Sequence, residues 1–276
     1  MRTNAQSSLA FLLMLLCQLS DPHIVTEGTL SYGTVDTPRM LERCIRKILN
    51  LPRRPDAVIL TGDLTDHGTA VEYGVLCELL EPLPMPLFLV LGNHDERGAL
   101  RAAFPHHRHL AGEDDFVQYV VEEFALRLVV LDTVIPGAPG GALCERRLQW
   151  LDQTLAASDR PTIIAQHHPP FATGISAMDR MSLAEPESEA RVISRYPYVE
   201  RIISGHYHRA IHARFAGTIA SVCPSTAHQI LLNLTPDAEV SFTFEPSAFQ
   251  LHLWNGREMV SHTEFVEDFP TWGLRD

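Results

Sequence analysis

The sequence predicts an α/β fold with two sheets face to face and helices outside, and three observations predict it. The first ninety or so positions read strand–helix–strand–helix–strand, which most economically makes a parallel sheet with helical crossovers. From Ile211 onward the chain is mostly strand. Finally, apolar runs stop repeatedly at short blocks of Asp, His and Asn: Asp21-Pro22-His23, Gly62-Asp63-Leu64-Thr65-Asp66, Gly92-Asn93-His94-Asp95, His167-His168-Pro169-Pro170 and Gly205-His206-Tyr207-His208. Ligands of open α/β sheets bind beyond the carboxyl ends of strands, so these blocks stand where chemistry is expected.

Phe11–Leu19 is read as the first core strand. Arg2 and the apolar run Leu9–Cys17 imitate a signal peptide. However, Asp21-x-His23 begins four residues after that run, and cleavage there would remove the strand that carries Asp21. Asp36 or Thr37 caps the next helix and Pro38 suits its first turn. Met40, Leu41, Cys44, Ile45, Ile48 and Leu49 give that helix one apolar face, and Pro52 and Pro55 end it. Ala57–Thr61 is the second strand, Thr69–Leu80 a helix, Leu87–Leu91 the third strand and Arg97–Phe104 a short helix. Phe116–Glu122 and Leu126–Asp132 are close enough to form a hairpin. Pro136–Gly141 is a loop, followed by a helix over Cys144–Leu155, a strand over Thr162–Gln166, a helix over Glu185–Arg195 and a strand over Arg201–Ser204. The remaining strands are Ile211–Phe215, Thr218–Val222, Ile230–Leu234, Val240–Phe244, Phe249–Trp254 and Met259–Phe265. With no repeat, low-complexity stretch or linker, residues 1–276 are expected to be a single domain, with 239–276 open as a cap or a dimerisation extension of a homo-oligomer.

Composition narrows the function. Hydrophobic residues at 45% and charged residues at 20% are those of a globular protein. A formal net charge of −12 argues against wrapping a nucleic acid duplex and against anionic membrane surfaces. No stretch is long enough to span a bilayer. Five scattered cysteines with no C-x-x-C pair suggest reduced thiols in the cytoplasm. A small anionic substrate remains compatible, provided that metal supplies local positive charge.

Taken singly, each block is weak. Asp66 is as readily a helix cap, and His206-x-His208 as readily a solvated edge. One site explains them together. A two-metal centre needs a bridging carboxylate and a mixed nitrogen and oxygen shell, with ions about 3.5–4 Å apart. Asp63 can bridge; Asp21, His23 and His208 can complete one shell, and Asn93, His167 and His206 the other. Asn93 adds an oxygen without cancelling positive charge, which suits a phosphoryl group.

The ordered set D-x-H, G-D-x-x-D, G-N-H-D, H-x-P and G-H-x-H, spanning Asp21 to His208, resembles the calcineurin-like metallophosphoesterase superfamily. Thr133-Val134-Ile135-Pro136-Gly137, the Gly141–Leu151 stretch with Arg146-Arg147-Leu148, and His167-His168-Pro169-Pro170 resemble its branch of class III cyclic-nucleotide phosphodiesterases and glycerophosphodiesterases. The resemblance implies a four-layer α/β/β/α sandwich and two ions drawn from iron, manganese, cobalt or zinc. It implies Asp21, His23, Asp63 and His208 as one ion's ligands and Asp63, Asn93, His167 and His206 as the other's. It makes His94 the non-ligand histidine at the phosphoryl oxygen or leaving group. His167 is preferred to His168 because it stands two before the proline, which leaves His168 to line the pocket. Asp66 is a candidate to hold His94 in the right tautomer. The tail after Phe269 departs from the branch.

The function this implies is phosphodiester hydrolysis by metal-activated hydroxide, with 3′,5′-cyclic AMP as first substrate. A glycerophosphodiester, or a broad range of diesters, is the alternative, and a non-catalytic binding scaffold the remote one. Phe171–Met181 is either a cover that discriminates among substrates or a surface loop.

Overall fold

The computed structural model describes residues 13–111 and 115–273. The expected strand at Phe11–Leu19 therefore lies partly outside the described residues. Its described part is β1 (Met14–Leu19), followed by α1 (Thr37–Leu49), β2 (Ala57–Thr61), α2 (Ala70–Leu80), β3 (Leu87–Val90) and α3 (Arg97–Ala103). The second stretch holds β4 (Tyr119–Val121), β5 (Arg127–Val130), α4 (Glu145–Ala156), β6 (Thr162–Ala165), α5 (Ser176–Asp179), α6 (Pro186–Ile193) and β7 (Val199–Ser204). Then come β8 (Ile211–Phe215), β9 (Thr218–Val222), β10 (Gln229–Ile230), β11 (Phe242–Thr243), β12 (Ala248–Trp254) and β13 (Met259–Phe265).

The first sheet runs β13-β12-β1-β2-β3 and the second β4-β5-β6-β7-β9-β8. Within them β1, β2 and β3 are parallel to one another, as are β5, β6, β7 and β9. On β5, Leu128 and Val130 join the core shared with the first sheet, while Val129 and, just past the strand, Leu131 join Leu151 and Leu155 of α4 and Val192 and Ile193 of α6. That alternation is what a strand buried on both faces produces. The layers are thus helices, sheet, sheet, helices, as expected.

Local chemistry sets the element boundaries. Asp36 Oδ1 accepts from Arg39 N at 3.2 Å to cap α1, whose Leu41, Cys44, Ile45 and Ile48 are buried. Thr69 and Glu72 form a capping box at the start of α2. Strand β12 pairs antiparallel with β1 from Met14↔Trp254 to Gln18↔Gln250, so residues 248–265 complete the first sheet.

One expectation fails. Ile230–Leu234 and Val240–Phe244 were expected as full strands, but the ladder is only Gln229–Ile230 against Phe242–Thr243, so Ile230 alone of the first stretch and two residues of the second pair. Leu231, Leu232, Leu234, Val240 and Phe244 are exposed. Their apolar pattern reads as strand, yet the segment hydrogen-bonds to neither large sheet and forms a small apolar flap of its own. No helix among the described residues is long and apolar enough to cross a membrane.

Candidate active site

The sequence blocks leave the carboxyl ends of β1, β2, β3, β6 and β7, and backbone bonds tie the emerging loops together. Asp21 N donates to Gly62 O at 3.1 Å, His23 N to Asp63 O at 3.0 Å and Gly205 N to His167 O at 3.1 Å. Asp21 crosses between the sheets, its two carboxylate oxygens accepting from His206 N at 2.9 and 3.1 Å. Asp63 Oδ1 accepts from His94 N at 2.9 Å.

Close approach requires glycine at several positions of the site, Gly62 and Gly92 among them. A Cβ on Gly62, whose φ is +92°, would lie 2.3 Å from His167 Nδ1. One on Gly92 would lie 2.1 Å from Asp63 N. The backbone is also strained where the candidate ligands sit: Asp21, His23, Asp63, His206 and His208 all have positive φ, between 45° and 73°. Non-glycine residues rarely adopt this region, and when they do they cluster at functional sites.

The ring nitrogens declare which lone pairs are available. His23 Nδ1 donates to Asp66 Oδ1 at 3.0 Å, and His208 Nδ1 to His228 O at 3.0 Å. Their Nε2 atoms then face each other at 3.2 Å, two lone pairs converging beside buried Asp21 and Asp63. His208 Nε2 is 3.4 Å from Asp21 Oδ1, and His23 Nε2 is 3.6 Å from Asp63 Oδ2. The ligand atoms of Asp21, His23, Asp63 and His208 all lie within 4.8 Å of one another. Ring nitrogens and buried carboxylates converging in this way form a donor set that could hold a metal ion.

The second group is arranged alike. His167 Nδ1 donates to Thr61 O at 2.8 Å, so its Nε2 faces Asn93 Oδ1 at 3.1 Å and Asp63 Oδ2 at 3.4 Å. His206 Nε2 donates to Met181 O at 2.9 Å, which leaves Nδ1 free to ligate. Asp63 Oδ2 thus faces both groups, as a bridge must. His168 is buried nearby, but its Nδ1 meets Thr133 Oγ1 at 2.8 Å and its Nε2 meets Pro139 O at 3.2 Å. With both nitrogens engaged it offers no lone pair, although it lies close enough to His167 and His206 to form a three-histidine group.

Electrostatics follow from this crowding. Burial opposes ionisation of Asp63, but His167, His94 and His23 hold its carboxyl well below the usual carboxylate range. Burial opposes charge on His167 too, yet Asp63 and Asp21 push it up to about 9. His206 is driven down to about 3 by burial and by His167. His94 lines the pocket with its side chain 34% exposed, and Asp63 and Asp66 raise its pKa against the effect of burial.

Asp66 departs from the expected geometry. His94 Nδ1 donates to the backbone oxygen of Asp66 at 2.8 Å and is 4.0 Å from its carboxylate, which goes to His23 instead. The turn after Asp63 presents the main chain to His94, so the main chain fixes its tautomer.

Sequence reasoning missed three participants. Asp95 accepts from Gly92 N, Leu64 N, Thr65 N and the Tyr73 hydroxyl, binding two of the loops together. His228 orients His208 and packs on both His208 and His23. The third is the flap. Asp95 stands in the Gly92-Asn93-His94-Asp95 block with no role of its own assigned, and neither His228 nor the flap belongs to any spaced motif. The Phe171–Met181 segment, left open between a cover and a surface loop, is docked on the last block. The Tyr207 hydroxyl donates to Asp179 Oδ1 at 3.1 Å, and Met178 and Met181 line the pocket.

The calcineurin-like phosphoesterase family model matches residues 14–210. A probable glycerophosphodiester phosphodiesterase of Arcobacter nitrofigilis is 36% identical over 259 residues, covering 93% of this chain and 94% of that one. A probable cyclic nucleotide phosphodiesterase of Rhodopseudomonas palustris is 35% identical over 266 residues, covering 94% and 95%. Among solved structures, a dimetal phosphatase from Danio rerio superposes with a TM-score of 0.61 at 15% identity, covering 90% of this chain and 98% of that one. The two share a fold.

Proposed function

Because the chain belongs to the calcineurin-like phosphoesterase family, we propose that it is a two-metal phosphodiesterase whose first substrate is 3′,5′-cyclic AMP. The observation that carries the metal reading is the pair of imidazole lone pairs of His23 and His208, 3.2 Å apart between two buried carboxylates. Asp21, His23, Asp63 and His208 would hold one ion, and Asp63, Asn93, His167 and His206 the other. Such a donor set suits iron, manganese, cobalt or zinc. Bound ions would acidify a water and neutralise charge on the phosphoryl oxygens.

The chain's own residues supply the rest. Asp66 and the carbonyls of Thr61 and His228 fix the ring orientations of His23, His167 and His208. His94, with Nδ1 committed to the Asp66 carbonyl, turns Nε2 to the pocket. From there it can protonate the departing alkoxide, the step for which a raised pKa fits it. Asn93 contributes an uncharged oxygen, so the pocket keeps its attraction for an anion.

Cyclic AMP is placed first because Met178, Met181, Ile230 and Val240 line the pocket together with the polar groups and give it an apolar part. A glycerophosphodiester is the second reading, favoured by the name of the 36% identical relative. The enzyme is read as cytoplasmic, acting on small molecules rather than nucleic acid duplexes, and open to homo-oligomer formation. The deciding experiment pairs metal analysis with turnover of cyclic AMP, glycerophosphocholine and bis(p-nitrophenyl) phosphate. Close to two metals and fastest cyclic AMP cleavage supports the first reading, and glycerophosphocholine preference the second. No metal and no turnover leaves a binding scaffold.

A further inference from the structure

The pocket has a rim that phosphoryl chemistry does not use. Tyr32 lies on the turn after the Asp21-Pro22-His23 block, 60% exposed, with a backbone φ of +50°. For a bulky side chain that conformation is an outlier, and it persists only where neighbours over-determine it. Here they do. Ser31 bridges to Val35 across the turn, and Ser31 Oγ donates to Asp66 Oδ2 at 3.2 Å. The same carboxylate orients His23, so the turn bearing Tyr32 is tied to the candidate metal shell.

The flap supplies the backing. Phe242 stacks on Tyr32 with ring centres 5.2 Å apart and planes 28° apart. His228 meets Tyr32 edge-on at 5.3 Å. Tyr32 and His228 line the same cavity as Asn93 and His94, a cavity of about 150 Å³. Sites that enclose a small ligand are usually larger, roughly 300 Å³ or more. A substrate with its phosphoryl group inside must therefore lay its remainder over the rim.

We infer that Tyr32, backed by Phe242 and edged by His228, is a stacking platform for the planar base of a nucleotide substrate. This deepens the cyclic-nucleotide reading above and rests on it for the position of the phosphate. The ring arrangement selects the ligand class. A quaternary ammonium calls for several ring faces enclosing it, whereas Tyr32 and Phe242 are nearly parallel, a single pile that presents one free face. Bases stack on such a face whatever their identity, so the platform would distinguish nucleotides from ring-free diesters and not one purine from another.

The test compares binding of AMP and ribose 5-phosphate to the metal-loaded protein by calorimetry, two ligands that differ by the base alone. Wild type is expected to prefer AMP. Tyr32→Ala should cut that preference about tenfold or more, the ratio that one lost base stack produces, while Tyr32→Phe keeps it. Phe242→Ala, on the flap and away from the strained turn, should cut it in the same direction. An unchanged preference in Tyr32→Ala, or equal loss of both ligands, overturns the platform. Turnover separates the two readings. If wild type cleaves glycerophosphoglycerol but not cyclic AMP, the cyclic-nucleotide reading falls, and the AMP preference still decides the platform by itself.

Discussion

His94 enters the pocket with one ring nitrogen committed, and this makes its role separable from that of the ligands. Replacing it removes the proposed proton donor and leaves the proposed Asp, His and Asn ligand set complete. His94→Ala is expected to retain metal while kcat falls by roughly 10²–10⁴, the usual contribution of general acid catalysis. Metal content measured beside single-turnover kinetics checks it, and full activity with metal bound would remove the acid role. Asp66→Asn should behave differently. Its carboxylate bonds to His23 Nδ1 and not to His94, so the expected effect is metal affinity weakened by roughly 10–100-fold. Titration of the stripped variant with Mn²⁺ reads that directly. Spacing and residue type were enough to bring Asp21, Asp63, Asn93 and the histidines under suspicion, because metal chemistry restricts donors to a few side chains. They could not say which atom of Asp66 does the work. That depends on how one turn is folded, and side chain and main chain of the same residue are alike in sequence.

At the scale of elements, the site depends on loops that approach one another too closely for ordinary side chains. Gly92 separates β3 from Asn93, and a methyl group there would strike Asp63 N and Oδ1 at 2.1 and 2.2 Å. Because both struck atoms belong to the site, Gly92→Ala should cost roughly 1–3 kcal/mol or more in stability, as overpacking does. Chemical denaturation and metal retention should both register it. A second element-level device lies behind the pocket, where α6 presents Glu189 to Gln166 at the end of β6. Burial pushes the Glu189 carboxyl up to about 8 from an ordinary 4.5. Above about pH 4.5 the unfolded chain gives up this proton while the folded chain keeps it, so stability falls as pH rises from there to about 8. Glu189→Gln should therefore raise the melting temperature at pH 8 and raise it less at pH 5. A larger gain at pH 5 would contradict the sign. Both large sheets were legible because buried strands write continuous apolar runs. The flap was misread because its equally apolar pattern pairs with neither large sheet. Periodicity records which residues are apolar, not what they meet.

For the whole molecule, the site is the seam between the two sheets. The Asp21 and Asp63 loops leave the first sheet, and those of His167, His206 and His208 leave the second. Several of these residues hold left-handed backbone conformations that cost of order 1–3 kcal/mol each. Buried carboxylates and imidazoles crowd together across the seam, an arrangement costly without a bound counter-charge. Cations bound there would join the sheets and offset that cost in the folded chain alone. Ligands that bind only the native state stabilise it by mass action, about 2.7 kcal/mol at a concentration 100 times Kd. Stripping the metals should therefore lower the melting temperature by several degrees, and adding Mn²⁺ or Zn²⁺ back should restore it. His208→Ala gives the control, since removing a proposed ligand to one ion should shrink the shift. A melting temperature indifferent to both chelator and added metal would mean that the seam is held by protein contacts alone, and the two-metal reading would lose its structural half.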